Sequence, residues 1–137
     1  MAGMSDYLEA LVLNHIFKAG AFASPTVYVS LHTADPTDAG TGTEVSGGSY
    51  ARVATATSDW ASAVVSGNGY ITTNAGVITF PSPTATWGTV TYFGLWDAAS
   101  AGHLLYSGAL TTPRLIQNGD VAPTVAIGAI VVGQDVL

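Results

Sequence analysis

The sequence has no cysteine and very few charges, and both absences exclude classes of function. Without cysteine there is no disulfide framework and no thiolate metal site, and the redox compartment leaves no mark on the chain. Charged residues make up 9% of the 137 residues, against about 25% in an average globular protein. Three are cationic, Lys18, Arg52 and Arg114, and the formal net charge is −6. A nucleic-acid partner needs a basic footprint to displace counterions from phosphates, and none is present. An anionic membrane surface fails as a partner for the same reason. The N-terminus carries Asp6 and Glu9 where a secretory signal would be basic, so no such signal is expected. The longest aliphatic run, VAIGAIVV at 125–132, falls far short of the roughly 20 residues a membrane helix needs.

What is present is apolar and hydroxyl-rich. Hydrophobic residues make up 48% of the chain, and the mean hydropathy is +0.40. The length fits a single domain over 1–137. A folded chain of 13.9 kDa should expose about 6,700 Å². With so few charges to cover it, that surface must carry apolar patches, and such patches mark interfaces. The composition therefore predicts a subunit of an assembly.

Residues 5–19, SDYLEALVLNHIFKA, predict the one helix. Ser5 is a suitable N-cap, Asp6 and Glu9 suit the positive end of the helix dipole, and Gly20 is a natural stop. Leu8, Leu11, Val12 and Ile16 recur at helical spacing, widened by Leu13 and Phe17, and His15 at the edge of that stripe reads as a packing residue. From Thr26 the pattern changes to period two. TVYVSLH puts Val27, Val29 and Leu31 on one face and Tyr28, Ser30 and His32 on the other. Further strands are expected at YARVATAT (50–57), GVITF, GTVTYFGLWDA (88–98), GHLLYSGAL (102–110), RLIQ and PTVAIGAIVVG. DAASAG (97–102) reads as a hairpin connector, QNGDV as an Asn-Gly turn, and PSPTATW (81–87) as loop or edge. The expected fold is mainly β, an antiparallel β-sandwich or jelly-roll-like domain over about 26–133 with one N-terminal α-helix.

Between two of these strands lies a long connection, 33–49, rich in glycine. Its length exceeds the roughly 12–15 residues beyond which a loop is usually functional or disordered. His32, Asp35, Asp38 and Glu44 fall in or beside it, but DPTDAGTGTE does not match an EF-hand spacing, and acids so placed serve as turn formers. No metal site, cofactor or catalytic residue is expected. His103 stands near Asp97, yet no nucleophile elbow accompanies them. Trp60, Trp87 and Trp96 could stack on sugar rings, although alternation on 88–98 requires part of that set for the core.

Three stretches taken in order carry a resemblance: LNHIFKAGAF, then VYVSLHTADPTDAGTGTEVSGGSYARV, then ITFPSPTATWGTVTYFGLWDAASAGHLLYSGALTTPRLIQNGDV. Together they resemble small virion proteins of tailed bacteriophages, of the kind labelled tail-fibre, minor structural or capsid decoration (cement) proteins. The resemblance implies no enzyme. It implies a homotrimer bound to the major capsid protein on the capsid exterior, after assembly in the host cytoplasm. A tail or tail-fibre component, touching host glycans, is the alternative. On this reading the 33–49 loop is a docking arm, with Asp35, Asp38 and Glu44 at or near the contact, and Arg52, just past it, is expected to pair with an acid in the loop or across an interface. Among Leu115, Ile116, Val125, Ile127, Ile130 and Val131, alternate members face the core and the surplus faces another protomer, so Leu115, Ile116, Ile127 and Ile130 enter the expected interface.

Overall fold

The computed structural model describes residues 2–134. The elements run β1 (Gly3–Met4), α1 (Asp6–Phe17), β2 (Tyr28–His32), β3 (Val53–Ala54), a 3₁₀ turn (Thr57–Asp59), β4 (Val64–Ser66), β5 (Gly69–Thr73), β6 (Ile78–Thr79), β7 (Gly88–Trp96), β8 (Leu104–Ile116), β9 (Thr124–Val125) and β10 (Val131–Gln134). They form three antiparallel sheets, ordered β1-β8-β7-β2-β3, β10-β5-β4 and β6-β9. The domain is thus mainly β with one N-terminal helix, as expected, and its largest sheet is open, with β1 and β3 at the edges.

The centre of that sheet is read well from sequence. Tyr28 to His32 pair with Trp96 to Tyr92, and β7 turns through 97–102 into β8. Val29, Leu31, Phe93 and Leu95 face inward. They meet Ile78, Phe80, Ile130 and Val132, so the core lies between the large sheet and the two small ones.

Four features depart from the sequence reading. The stretches GHLLYSGAL and RLIQ are one strand, β8, which uses the four residues between Ala109 and Arg114 where β7 uses only Thr91. That excursion absorbs Pro113, which could not donate into the ladder. The strand expected over 50–57 shrinks to Val53–Ala54, and the terminal PTVAIGAIVVG splits into β9 and β10. The β4–β5 hairpin was not anticipated at all; Gly67 turns it with φ +58°.

The helix begins as predicted. Ser5 Oγ accepts from Leu8 N at 3.3 Å and donates to Leu104 O, tying the first turn to β8. Only Leu8 is buried, however, and Leu13, Ile16 and Phe17 are 57%, 62% and 75% exposed. The second half of α1 overhangs the domain. His15 is accordingly not a packing residue: it is exposed, and its Nδ1 donates to Gly20 O at 2.8 Å just past the helix end.

One buried side chain joins the small sheet to the loop before β10. Asn74 is fully buried; its Nδ2 donates to Gly76 O and Ala126 O, each at 2.8 Å, and its Oδ1 accepts from Ile130 N at 2.9 Å. Truncation would leave three backbone groups without their partner, the Ile130 N–H among them in a buried contact. Asn74→Ala should therefore lower stability by about 3 kcal/mol, read as a reduced denaturant midpoint at unchanged slope. A loss below about 0.5 kcal/mol would show that water replaces the side chain at little cost.

Candidate functional site

Alternation on β2 predicts one apolar and one solvated face, and the structure buries both. Ser30 and His32 are fully buried on the second face, beside Trp96, which is 7% exposed. The cover is the 33–49 loop. It folds back so that Thr33 N donates to Thr43 O and Val45 N donates to Leu31 O, and it contributes Val45 and Pro36 to the interior. Asp35 Oδ1 caps its first turn by accepting from Thr37 N at 2.8 Å. Farther on, Gly48 O accepts from Trp87 Nε1 and from Thr84 N. The docking arm expected from length is thus packed on its own domain, with Asp35 and Asp38 left exposed.

Arg52 fastens the cover. Its Nε donates to Glu44 Oε1 at 2.9 Å and its Nη2 to Glu44 Oε2 at 2.7 Å, a bidentate pair in which the arginine side chain is 6% exposed. Nη1 donates to Ala98 O and Ala101 O, both at 2.9 Å, on the β7–β8 turn. The guanidinium lies 3.9 Å over the Trp96 ring. Tyr50 continues the network, donating to Glu44 Oε1 at 2.8 Å and accepting from Leu31 N at 3.0 Å.

Beneath lies a second cluster. Trp96 Nε1 donates to Ser30 Oγ at 2.9 Å, and Ser30 Oγ stands 2.8 Å from His32 Nε2 and 3.2 Å from Gly94 O. One arrangement satisfies nearly every group: Ser30 accepts from both ring N–H groups and donates to Gly94 O. His32 then carries its proton on Nε2, and the unpartnered atom, Nδ1, is a bare acceptor. Gly94 makes room for this cluster, since a Cβ there would meet Ser30 Oγ at 2.7 Å and Trp96 Nε1 at 2.8 Å.

Titration follows from these surroundings. Burial pushes His32 below its ordinary 6.5, aided by Arg52 and opposed by Glu44. Burial alone would raise Glu44, but hydrogen bonds from Arg52 and Tyr50 and the arginine charge hold it below 4.5. Burial drives the Tyr50 phenol strongly upward. A Ser–His contact with a nearby glutamate has the parts of a hydrolytic triad but not its wiring. Glu44 is committed to Arg52 and Tyr50, His32 Nδ1 has no partner, and Ser30 Oγ is closed off from substrate. The arrangement is a structural polar layer.

The other expected sites are dispersed. His103 Nδ1 lies 3.2 Å from Asp97 Oδ2 and its ring stacks on Tyr7 at 3.9 Å, beside a surface cleft of about 350 Å³ lined by Asp6, Asp38 and Gly40 but by no serine. Among the described residues no three His, Asp or Glu side chains gather to hold a metal. Trp60, Trp87 and Trp96 each spend their N–H inside the fold, on Thr55 Oγ1, Gly48 O and Ser30 Oγ, so they form no sugar platform. Of the four expected apolar contacts, Leu115 and Ile127 are 55% and 64% exposed, while Ile116 and Ile130 are core residues of the protomer itself. Sequence reasoning missed Ser30, Tyr50, Gly94 and Asn74. The expected pairing of Arg52 with an acid of the loop is met by Glu44.

A family model described as Podophage GP4 fiber I protein gp80 matches residues 3–133. No curated protein matches the chain.

Removing the guanidinium would leave Glu44 partly buried without its partner and free the 97–102 turn. Arg52→Ala should cost about 3 kcal/mol in denaturant unfolding, and Arg52→Lys should recover only part of it, since lysine cannot form the fork. An Arg52→Ala midpoint equal to wild type would show that the clamp contributes nothing. The same layer makes the fold acid-labile. Below pH 6.5 the unfolded chain protonates His32 while the folded chain keeps it neutral, so stability falls as pH drops. Glu44 adds a second loss below pH 4.5, as pH falls towards its depressed folded pKa. Thermal melts should show the midpoint declining from pH 6.5 to 5, with that decline reduced in His32→Asn; an unchanged pH profile in the variant would exclude His32 as its source.

Proposed function

The chain belongs to the Podophage GP4 fiber I protein gp80 family, and from that membership we propose that it serves as a non-enzymatic structural component of a podophage tail-fibre apparatus. The observation that carries this reading is the extent of the match, residues 3–133 of 137. A phage virion structural protein is what composition and resemblance led to. The family description favours the fibre reading over the head-decoration reading, which the sequence had placed first.

The structure gives this reading physical content. The large sheet packs against the two small ones, and its second face is covered by the 33–49 loop that the Arg52 clamp holds in place. Contact with host glycans loses its main support with the tryptophans turned inward. Head decoration by a homotrimer seated on the major capsid protein is the rival.

Immunogold electron microscopy of the parent virion, with antibody raised against this chain, decides between them. Label at the tail fibres is the expected outcome. Dense label over the head would overturn the fibre reading in favour of decoration, and particles without label would remove the chain from the mature virion.

A further inference from the structure

The small sheet ends in an edge that nothing among the described residues covers. β4 is its last strand, pairing Val64, Val65 and Ser66 with Ile71, Tyr70 and Gly69. Before β4, which is three residues long, the chain passes through 61–63 outside any strand and with a one-residue shift of register, and then rejoins the sheet where Trp60 bridges Asn74 and Ala61 N donates to Thr73 O at 2.9 Å. Side chains alternate across a strand, so Val64 and Val65 point to opposite faces, and both faces are open: Val64 is 56%, Val65 68% and Tyr70 58% exposed. The turn fixes which backbone groups are free. In a two-residue hairpin the residues flanking the turn, here Ser66 and Gly69, exchange hydrogen bonds, and the next pair does not. The N–H and C=O of Val65 therefore point away from β5, into the open edge.

Natural edges are blunted by charge, proline, bulges or brevity. The long edge of β8 follows that rule: beyond Ser107 it carries the excursion before Arg114, and Pro113 within it. β1, β3, β6 and β9 are two residues long. The run Trp60–Ser66 has neither charge nor proline, and from Trp60 through Trp96 the sequence contains no Asp, Glu, Lys, Arg or His. Asp59, just before the run, turns its Oδ2 to Ala56 N at 2.8 Å. In a chain of net charge −6, this is a surface on which two copies meet without bringing like charges together.

We propose that the Trp60–Ser66 edge pairs strand to strand with a second copy of this chain, Val65 supplying backbone hydrogen bonds and Val64, Val65 and Tyr70 the apolar contact. The pairing is independent of where in the virion the protein sits.

Sedimentation of the isolated full chain across a range of concentrations tests it. Wild type should self-associate, and Val65→Lys should weaken that association on the order of a hundredfold, since it brings like charges into the contact. Val121→Lys, at a residue 87% exposed outside this edge, should leave association unchanged. Circular dichroism reports whether each variant folds. Hydrogen exchange at the Val65 amide of wild type, followed by NMR, keeps the test independent of any variant: protection should rise with concentration. A monomeric wild type, an associating Val65→Lys, or a Val65 amide that exchanges freely at every concentration would each overturn the proposal, the first pointing to a different protein as the strand partner.

Discussion

The Glu44–Arg52 ion pair is the interaction on which the rest of the large sheet depends. In a chain with three basic residues, one is spent inside, on a carboxylate of the loop and two carbonyls of the turn beyond β7. That single guanidinium joins segments far apart in sequence, and the loop it holds turns an outward sheet face into an interior. A buried pair of this kind is a modest net stabiliser, because desolvating both ions offsets most of their attraction. Its larger effect is on uniqueness. Arg52 has four of its N–H groups engaged in this arrangement, and any other seating of the loop would leave a charge buried without a partner.

The polar layer beneath explains why an interior of this chemistry is not a reaction centre. Catalysis by serine and histidine needs a base oriented by an acid and a nucleophile that meets substrate. Here the acid faces the other way, and the hydroxyl is saturated by a tryptophan N–H, a carbonyl and the imidazole. A neutral His32 serves as a flat, hydrogen-bonding filler nearly parallel to Trp96, their rings inclined by 13°. Gly94 belongs to the same design, since the space a side chain would occupy is taken by that cluster.

Local signals were legible wherever local physics decides. Ser5 as N-cap, the 97–102 hairpin and the strand character of VYVSLH and TYFGLW follow from capping, turn chemistry and alternation. What was hidden depended on partners distant in sequence. Helical periodicity identifies Leu13, Ile16 and Phe17 as a stripe, yet it cannot say whether the domain extends far enough to receive them. The β4–β5 hairpin escaped because Val64, Val65 and Tyr70 are exposed on both faces, so no alternation of burial is written into it. Loop length distinguished 33–49 as unusual, but its closure rests on Arg52 reaching Ala98 and Ala101, a contact no window of sequence contains. Ile116 and Ile130 show the limit of alternation: it divides a strand into two faces without saying which faces the core.

Scarcity of charge and excess of surface belong to one argument. The chain exposes 7,685 Å², more than the about 6,700 Å² expected of a compact body of its mass. The overhanging half of α1 and the β4–β5 hairpin contribute to the excess, and both carry large exposed apolar residues. A free protein with such projections would be prone to associate without order. In a permanent assembly the same projections are interior in waiting, and charges on them would have to be desolvated each time a contact formed. A subunit built to remain in a particle therefore keeps its few ions for holding its own loops or for faces that stay wet, and leaves its contact surfaces neutral. The charge-free stretch from Trp60 to Trp96 is consistent with the proposed pairing, because one stretch of sequence supplies both the middle of the core and the uncharged edge beside it.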